Sequence, residues 1–142
     1  MSAPVPPRTA PAPARPPPAP VTRLQPRALP GDAAALARLD LRRQPAAARA
    51  ALFLAGEELS LRLGRIAGHY RQGDCTALAH EARRLDPAAQ IIGLPDLTRC
   101  ADHVARCATG TDATALAATV ARLLRLGGAV LDLIADRRKP GR

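Results

Sequence analysis

The chain has 142 residues, and 11 of its 15 prolines fall within the first 30 positions. Hydrophobic residues make up 47% of it, yet Phe53 and Tyr70 are the only aromatics, so a core must be built from Leu, Ile, Val and Ala. This composition predicts a single domain shorter than the chain, and an aliphatic core of this kind favours helices.

The formal net charge of +9 is concentrated at the two ends of the sequence. Residues 1–30 contain four arginines and no acid, and four more basic residues follow Asp136, whereas positions 31–136 hold 13 basic and 12 acidic residues. The central part is therefore nearly neutral, which argues against a basic folded face for nucleic acid. Arginine outnumbers lysine twenty to one, as is typical of proteins from GC-rich bacterial genomes.

The three cysteines, Cys75, Cys100 and Cys107, are odd in number and form no Cys-x-x-Cys pair. Each is predicted to be buried and to act as a small hydrophobic residue. Cysteines that stay as free thiols favour a reducing, cytoplasmic location. No uninterrupted run approaches the ~18 apolar residues of a membrane span. The N-terminus lacks the apolar segment of a secretory signal, so we expect no membrane association.

The three histidines lie on different predicted helices and form no His-x-x-x-His or Glu-x-x-His pair. A Gly-rich phosphate loop and a nucleophile elbow are also missing from the sequence. We therefore expect no metal and no cofactor, and a free-standing enzyme is not indicated.

Composition divides the chain into four parts. Residues 1–30 are rich in Pro, Ala and Arg and cannot repay the entropy of folding, so they are predicted to form a disordered arm. Residues 31–45 are a linker in which Leu36, Leu39 and Leu41 allow a short helix that Pro45 would end. A folded domain is predicted over 46–136, and a basic tail over 137–142.

Apolar residues at alternating spacings of three and four predict four helices between 46 and 136. The first runs from about 46 to 71; the second follows an Asp74 cap and stops at Gly93; Pro95 and Asp96 begin the third; Thr111 or Asp112 caps the fourth. The apolar positions are Leu52, Gly56, Leu59, Leu63, Ile66 and Tyr70; Cys75, Leu78, Ala82, Leu85, Ala89 and Ile92; Leu97, Cys100 or Ala101, Val104 and Ala108; and Leu116, Val120, Leu123, Gly127, Leu131 and Ile134. Because the loops are short, we predict an all-α, antiparallel up-and-down four-helix bundle.

The second helix is predicted to turn a polar face to solvent. If Leu78, Leu85 and Ala89 mark the core direction, a step of 100° per residue exposes the opposite side. A partner-binding surface is therefore predicted there, although a simple solvated helix face gives the same pattern. Its residues are His80, Arg83, Arg84, Pro87 and Gln90.

This region resembles the histidine phosphotransfer (HPt) domain family. The similarity lies in the Gly73-Asp74 opening, the helix that ends in Ile92-Gly93-Leu94, and the following helix with Leu97, Cys100 and Val104. It would cover residues 46–136. In that family a helix carries a pattern of the form Ala-His-x-Leu-Lys-Gly, and its His shuttles a phosphoryl group between receiver-domain aspartates.

Two alignments to that pattern are open. Without gaps, Arg83 takes the phosphoacceptor position, Asp86 the Lys and Pro87 the Gly, so the site would be inactive. If Ala79-His80 is matched instead, His80 becomes the phosphoacceptor and Arg83 could replace the Lys, but Gly93 then lies thirteen places after the His rather than ten. We favour the ungapped alignment because it keeps the helix ends.

The resemblance implies a degenerate signalling module that docks to a receiver or histidine-kinase domain of a two-component phosphorelay. One alternative is active phosphotransfer through His80, since a neutral imidazole on an exposed face is nucleophilic and Arg83 and Arg84 could pair with the added phosphate. A second alternative is salt-sensitive binding of nucleic acid or an anionic surface through the basic ends, which we rank lower. A helical homodimer is also compatible with the pattern.

Overall fold

The computed structural model describes residues 45–138, where every regular element is an α-helix. In chain order these are α1 (Ala46–Gln72), α2 (Cys75–Arg83), α3 (Asp86–Ile92), α4 (Pro95–Ala108) and α5 (Ala113–Arg138). The all-α prediction is thus confirmed for this part of the chain. The predicted arm at 1–30, the short helix near 33–43 and the tail beyond Arg138 lie outside the described residues.

The helices surround one aliphatic core. α1 packs against α5 on one side and against α2 and α3 on the other, while α4 lies between α5 and the α2–α3 pair. The largest fully buried side chains come from all five helices, so no helix is peripheral. They are Leu59, Ile66, Leu78, Leu85, Ile92, Leu97, Val104, Val120, Leu123 and Val130.

The helix ends follow the local signals of the sequence. Gly73 and Gly93 have φ values of 71° and 78°, a left-handed conformation that glycine adopts without a steric penalty. The carboxylate of Asp74 accepts a hydrogen bond from the backbone N–H of Ala77 at 2.9 Å, and Asp112 caps α5 through Ala115 at the same distance. Asp112 rather than Thr111 is therefore the cap of the last helix.

The predicted second helix is two helices. α2 ends at Arg83 and α3 begins at Asp86, with Pro87 in its first turn. Proline has no N–H to donate to the carbonyl of Arg83, but at a helix start that donor is not needed. α2 and α3 are therefore separate helices, joined by Arg84 and Leu85, which both keep right-handed helical backbone angles.

Three positions of the predicted core are corrected by the structure. Tyr70 is 38% exposed because it stands in the last turn of α1, at the edge of the core. Cys75 is exposed because it is the first residue of α2, whereas Cys100 is buried as predicted and Cys107 is half-buried. Leu131 is also only half-buried, because it lies on the flank of α5 beside α1.

α5 is more apolar than its interrupted sequence pattern indicates. An 18-residue stretch of it has a mean hydropathy of 1.4, which makes α5 long and apolar enough to cross a membrane by length and composition. Arg122 and Arg125 interrupt that stretch, so the sequence holds no continuous apolar run there. Core helices of soluble proteins pass the same test, and the cytoplasmic location stays a prediction.

The α2–α3 face, a candidate partner-binding site

All five residues predicted to form the partner-binding surface are exposed to solvent. His80, Arg83 and Arg84 lie on the last turn of α2 or directly after it, and Pro87 and Gln90 lie on α3. The orientation predicted from the 100° periodicity is confirmed, because Leu78, Leu85 and Ala89, on the opposite side, are buried.

Ile91 also belongs to this surface, although the sequence pattern did not single it out. It is 55% exposed, and it stands four residues after Pro87 on α3. Its neighbour Ile92 is fully buried, so Ile91 faces solvent and Ile92 faces the core on the same short helix. We call the surface formed by His80, Arg83, Arg84, Pro87, Gln90 and Ile91 the α2–α3 face.

A cleft of about 440 Å³ adjoins the α3 end of this face. Gln90 lines one side of it, and Leu94, Pro95, Thr98 and Arg99 at the start of α4 line the other. The side-chain amide of Gln90 donates a hydrogen bond to Asp86 at 2.6 Å, and Arg99 pairs with Asp96. The α2–α3 face therefore combines basic, apolar and amide groups next to a concave surface.

A buried ion pair lies directly behind the face. Arg62 on α1 donates a hydrogen bond from Nη1 to Glu81 Oε2 at 2.7 Å, and its Nε donates to Glu58 at 2.6 Å. Arg62 and Glu81 are each only 7% exposed. Since Glu81 follows His80 directly, the pair fixes α2, and with it the basic side chains, against α1.

The environment of the pair keeps both groups charged. Burial would raise the pKa of Glu81, but the hydrogen bond from Arg62 and the positive charges of Arg62, Arg65 and Arg84 outweigh it and lower that pKa below its usual value. Burial would likewise lower the pKa of Arg62, but its hydrogen bonds to Glu81 and Glu58 raise it. Desolvation is thus more than offset on both sides.

Sequence reasoning missed the Arg62–Glu81 pair, yet a signal for it exists. Arg62 lies between Leu59 and Ile66 of the apolar stripe, and Glu81 lies between Leu78 and Ala82 of the next. Two opposite charges embedded in two facing stripes are the pattern of an interhelical ion pair. Only the relative position of α1 and α2 shows that they meet.

The remaining predictions concern metal ligands and the basic ends of the chain. Within residues 45–138 there is no cluster of His, Cys, Asp and Glu able to hold a metal ion. Of the basic tail, Arg137 and Arg138 belong to α5, which continues two residues beyond the predicted boundary, and both are exposed. The arginines of residues 1–30 lie outside the described residues, and the nucleic-acid alternative stays untested.

No family model, curated protein or solved structure matches this chain.

Proposed function

We propose that the chain is an HPt-like, antiparallel up-and-down bundle that docks to a receiver or histidine-kinase domain of a phosphorelay without itself accepting phosphate. One observation carries the proposal: the six side chains of the α2–α3 face are exposed together, on the segment that resembles the phosphoacceptor helix of the HPt family. An antiparallel course is supported by the connections, because two residues separate α1 from α2 and α3 from α4, and four separate α4 from α5.

The composition of the face suits an acidic partner with an apolar rim. Arg83 and Arg84 present two guanidinium groups beside the imidazole of His80, and Pro87 and Ile91 add apolar surface on the next turn. Arginine is enriched at protein interfaces, and the buried centre of an interface is apolar. The phosphorylation pocket of a receiver, which the resemblance implies as the target, is lined by carboxylates.

The break between α2 and α3 supports an inactive acceptor site. In the ungapped alignment Arg83 stands at the phosphoacceptor position, and it is the last residue of α2. Pro87, where the family has Gly, lies in the first turn of the next helix. A guanidinium at this position can pair with carboxylates but has no nucleophilic nitrogen at neutral pH.

Binding to a panel of purified receiver and histidine-kinase domains tests the proposal, measured by calorimetry at fixed ionic strength. We expect Arg83→Glu/Arg84→Glu to weaken binding of the cognate domain by about a hundredfold, because two attractive contacts become repulsive. The matched control is Arg106→Glu/Arg125→Glu, which makes the same charge change at exposed positions of α4 and α5 and should keep the affinity.

The apolar part of the face is tested by Ile91→Ala, which changes no charge. We expect about a tenfold loss of affinity, because the side chain would be buried by the partner. The proposal is wrong if none of the panel binds, or if Arg83, Arg84 and Ile91 can all be replaced without effect.

Active phosphotransfer through His80 is the second candidate, favoured by its exposed imidazole with Arg83 and Arg84 three and four residues later. Incubation with a receiver that carries labelled phosphate distinguishes the two. Acid-labile label on the wild type that is lost in His80→Ala would establish a phosphotransfer protein. Retained binding without label supports the docking module.

A further inference from the structure

The outward side of α1 carries two exposed leucines. Leu54 is 66% exposed and Leu61 is 50% exposed. They are seven residues apart, so they lie on the same side of the helix, two turns from each other. At 100° per residue this side is opposite to the one that carries the buried Leu59 and Leu63. The solvent-facing side of a helix is normally polar, so this part of α1 is an exception.

Two glycines continue this outward side toward the C-terminal end of α1. Gly64 and Gly68 stand three and seven residues after Leu61. A Cβ atom at either glycine would meet nothing of the described chain within 4 Å. We call Leu54, Leu61, Gly64 and Gly68 the α1 stripe; it is raised at its Leu54 end and flat at its Gly68 end.

Two opposite charges follow the flank of the α1 stripe that lies toward α2. Glu58 and Arg65 are seven residues apart, and their side chains are 42% and 49% exposed. Arg62 contacts Glu58 through Oε1, and Arg65 lies 3.9 Å from Glu81. Both side chains therefore keep exposed surface beside the stripe while they hold their partners within the chain.

The shape of the α1 stripe is complementary to itself in an antiparallel arrangement. A two-fold axis at Leu61 places Leu54 of each copy against Gly68 of the other, because both positions are seven residues from the axis. A leucine side chain then fills the open space beside a glycine, twice. A parallel pair would place Leu54 against Leu54 and leave the two Gly68 positions facing each other across a gap.

The charges agree with the same arrangement. Glu58 lies three residues before Leu61 and Arg65 lies four residues after it, on the same flank of α1. An antiparallel pair centred on Leu61 therefore brings Glu58 of one copy beside Arg65 of the other, and the symmetry repeats this contact. On the other flank Glu57 is 3.7 Å from Arg138 on α5, so its charge is compensated within the chain.

We propose that the protein forms a two-fold symmetric dimer through the α1 stripe, with the two α1 helices antiparallel and Leu61 at the axis. The occupant is a second copy because one surface supplies both halves of each contact, large against small and acid against base, as a closed two-fold interface requires. The proposal does not depend on the function of the α2–α3 face, which other helices carry.

Sedimentation equilibrium of the full chain measures the association. Leu61→Glu should weaken the dimer by about a hundredfold, because it brings two carboxylates together at the axis and removes apolar contact. Ile91→Glu is the matched control, since it places the same charge at a similarly exposed aliphatic position, 55% exposed on α3, and should keep the wild-type dissociation constant.

Three results of that experiment would overturn the proposal. The first is a wild-type mass that stays monomeric up to about 100 µM, which would correspond to an affinity too weak for a specific dimer. The second is a dimer that Leu61→Glu leaves intact. The third is loss of the dimer in Ile91→Glu, which would assign the association to the α2–α3 face.

Gly68→Leu separates the dimer from the fold. The added side chain starts in open space within its own chain but would overlap Leu54 of the second copy, so the dimer should weaken about tenfold. The midpoint of thermal unfolding, measured at concentrations where the wild type is monomeric, should not fall, since helix propensity improves. Gly128→Leu is the matched control, because Gly128 of α5 also has open space, and it should keep the dimer. Equal dimer affinity in Gly68→Leu and Gly128→Leu would contradict the arrangement.

Disulfide trapping tests the direction of the two helices. Chains carrying Leu54→Cys and chains carrying Gly68→Cys, each with the exposed Cys75 replaced by alanine, are mixed and oxidised. Peptide mass spectrometry should find the mixed disulfide between positions 54 and 68, because only facing positions bring two Cβ atoms close enough. A predominance of disulfides between two Leu54→Cys chains would show a parallel pair and overturn the proposed dimer.

Discussion

Arg62 and Glu81 show how a charged pair is kept inside an aliphatic bundle. Each is 7% exposed, and the two are joined at 2.7 Å, with Glu58 as a second acceptor for Arg62 and Arg65 Nη1 at 3.9 Å from Glu81. A buried charge without a partner is costly, so the pair is sensitive to the loss of either member. The hydrogen bond between the two side chains also sets the position of α2 against α1.

This role predicts an asymmetry between single and double substitutions. Arg62→Met should lower the free energy of unfolding by about 3 kcal/mol, because it leaves the Glu81 carboxylate desolvated and without its hydrogen-bonded partner, with only the charges of Arg65 and Arg84 nearby. Arg62→Met/Glu81→Leu removes both charges and should be less destabilised than Arg62→Met alone. Urea unfolding followed by circular dichroism measures both. A double variant at least as unstable as the single one would show that the pair itself stabilises the fold.

At the scale of helices, close packing of α1 against α5 depends on Gly127. A Cβ atom at Gly127 would overlap Cδ1 of Leu63 and lie 3.1 Å from its Cδ2, whereas a Cβ at Gly128 meets nothing within 4 Å. Leu63 is itself buried, so its methyl groups would have to shift within the core to accept that Cβ. The close contact with Leu63 therefore requires a glycine at position 127, whereas position 128 has space for a larger residue.

Alanine substitutions separate these two glycines. Gly127→Ala should lower the free energy of unfolding by about 1–2 kcal/mol, since overpacking outweighs the gain in helix propensity. Gly128→Ala should raise it by about 0.5–1 kcal/mol, because only the propensity changes. Thermal or urea unfolding of the two variants provides the comparison, and stabilisation by both would mean that α1 and α5 are less tightly packed than described.

At the scale of the whole molecule, acid should weaken the fold through Glu81. Its pKa is lowered in the folded state from an ordinary value of 4.5, so the folded state binds its proton less readily than the unfolded chain. The resulting stability is fully present above pH 4.5 and is lost as the pH falls through the lower folded-state pKa.

Comparing unfolding free energies at pH 7 and pH 3.5 tests this linkage. The wild type should lose more stability between these pH values than Glu81→Gln, which has no carboxylate to protonate. Asp132→Asn, at an exposed position of α5, is the matched control and should keep the acid sensitivity of the wild type. An unchanged pH dependence in Glu81→Gln would show that other carboxylates dominate.

Much of the helical layout could be predicted because its signals are local. The apolar spacing, the caps at Asp74 and Asp112, and the glycines at 73 and 93 act within one or two turns, so they can be read without tertiary contacts. The exposed side of the second helix followed from the same periodicity. Pro87 interrupts the hydrogen bonds between α2 and α3 for an equally local reason, its missing N–H.

Other features of the fold could not be predicted, because they depend on how α1 packs against α2 and against α5. That Arg62 reaches Glu81, nineteen positions away, and that Gly127 makes room for Leu63 depend on how helices distant in sequence are placed together. The exposure of Ile91 also depends on which side of α3 meets α1 and α4. Periodicity gives each helix an apolar side, but the partner that covers each side is chosen by packing of the whole core.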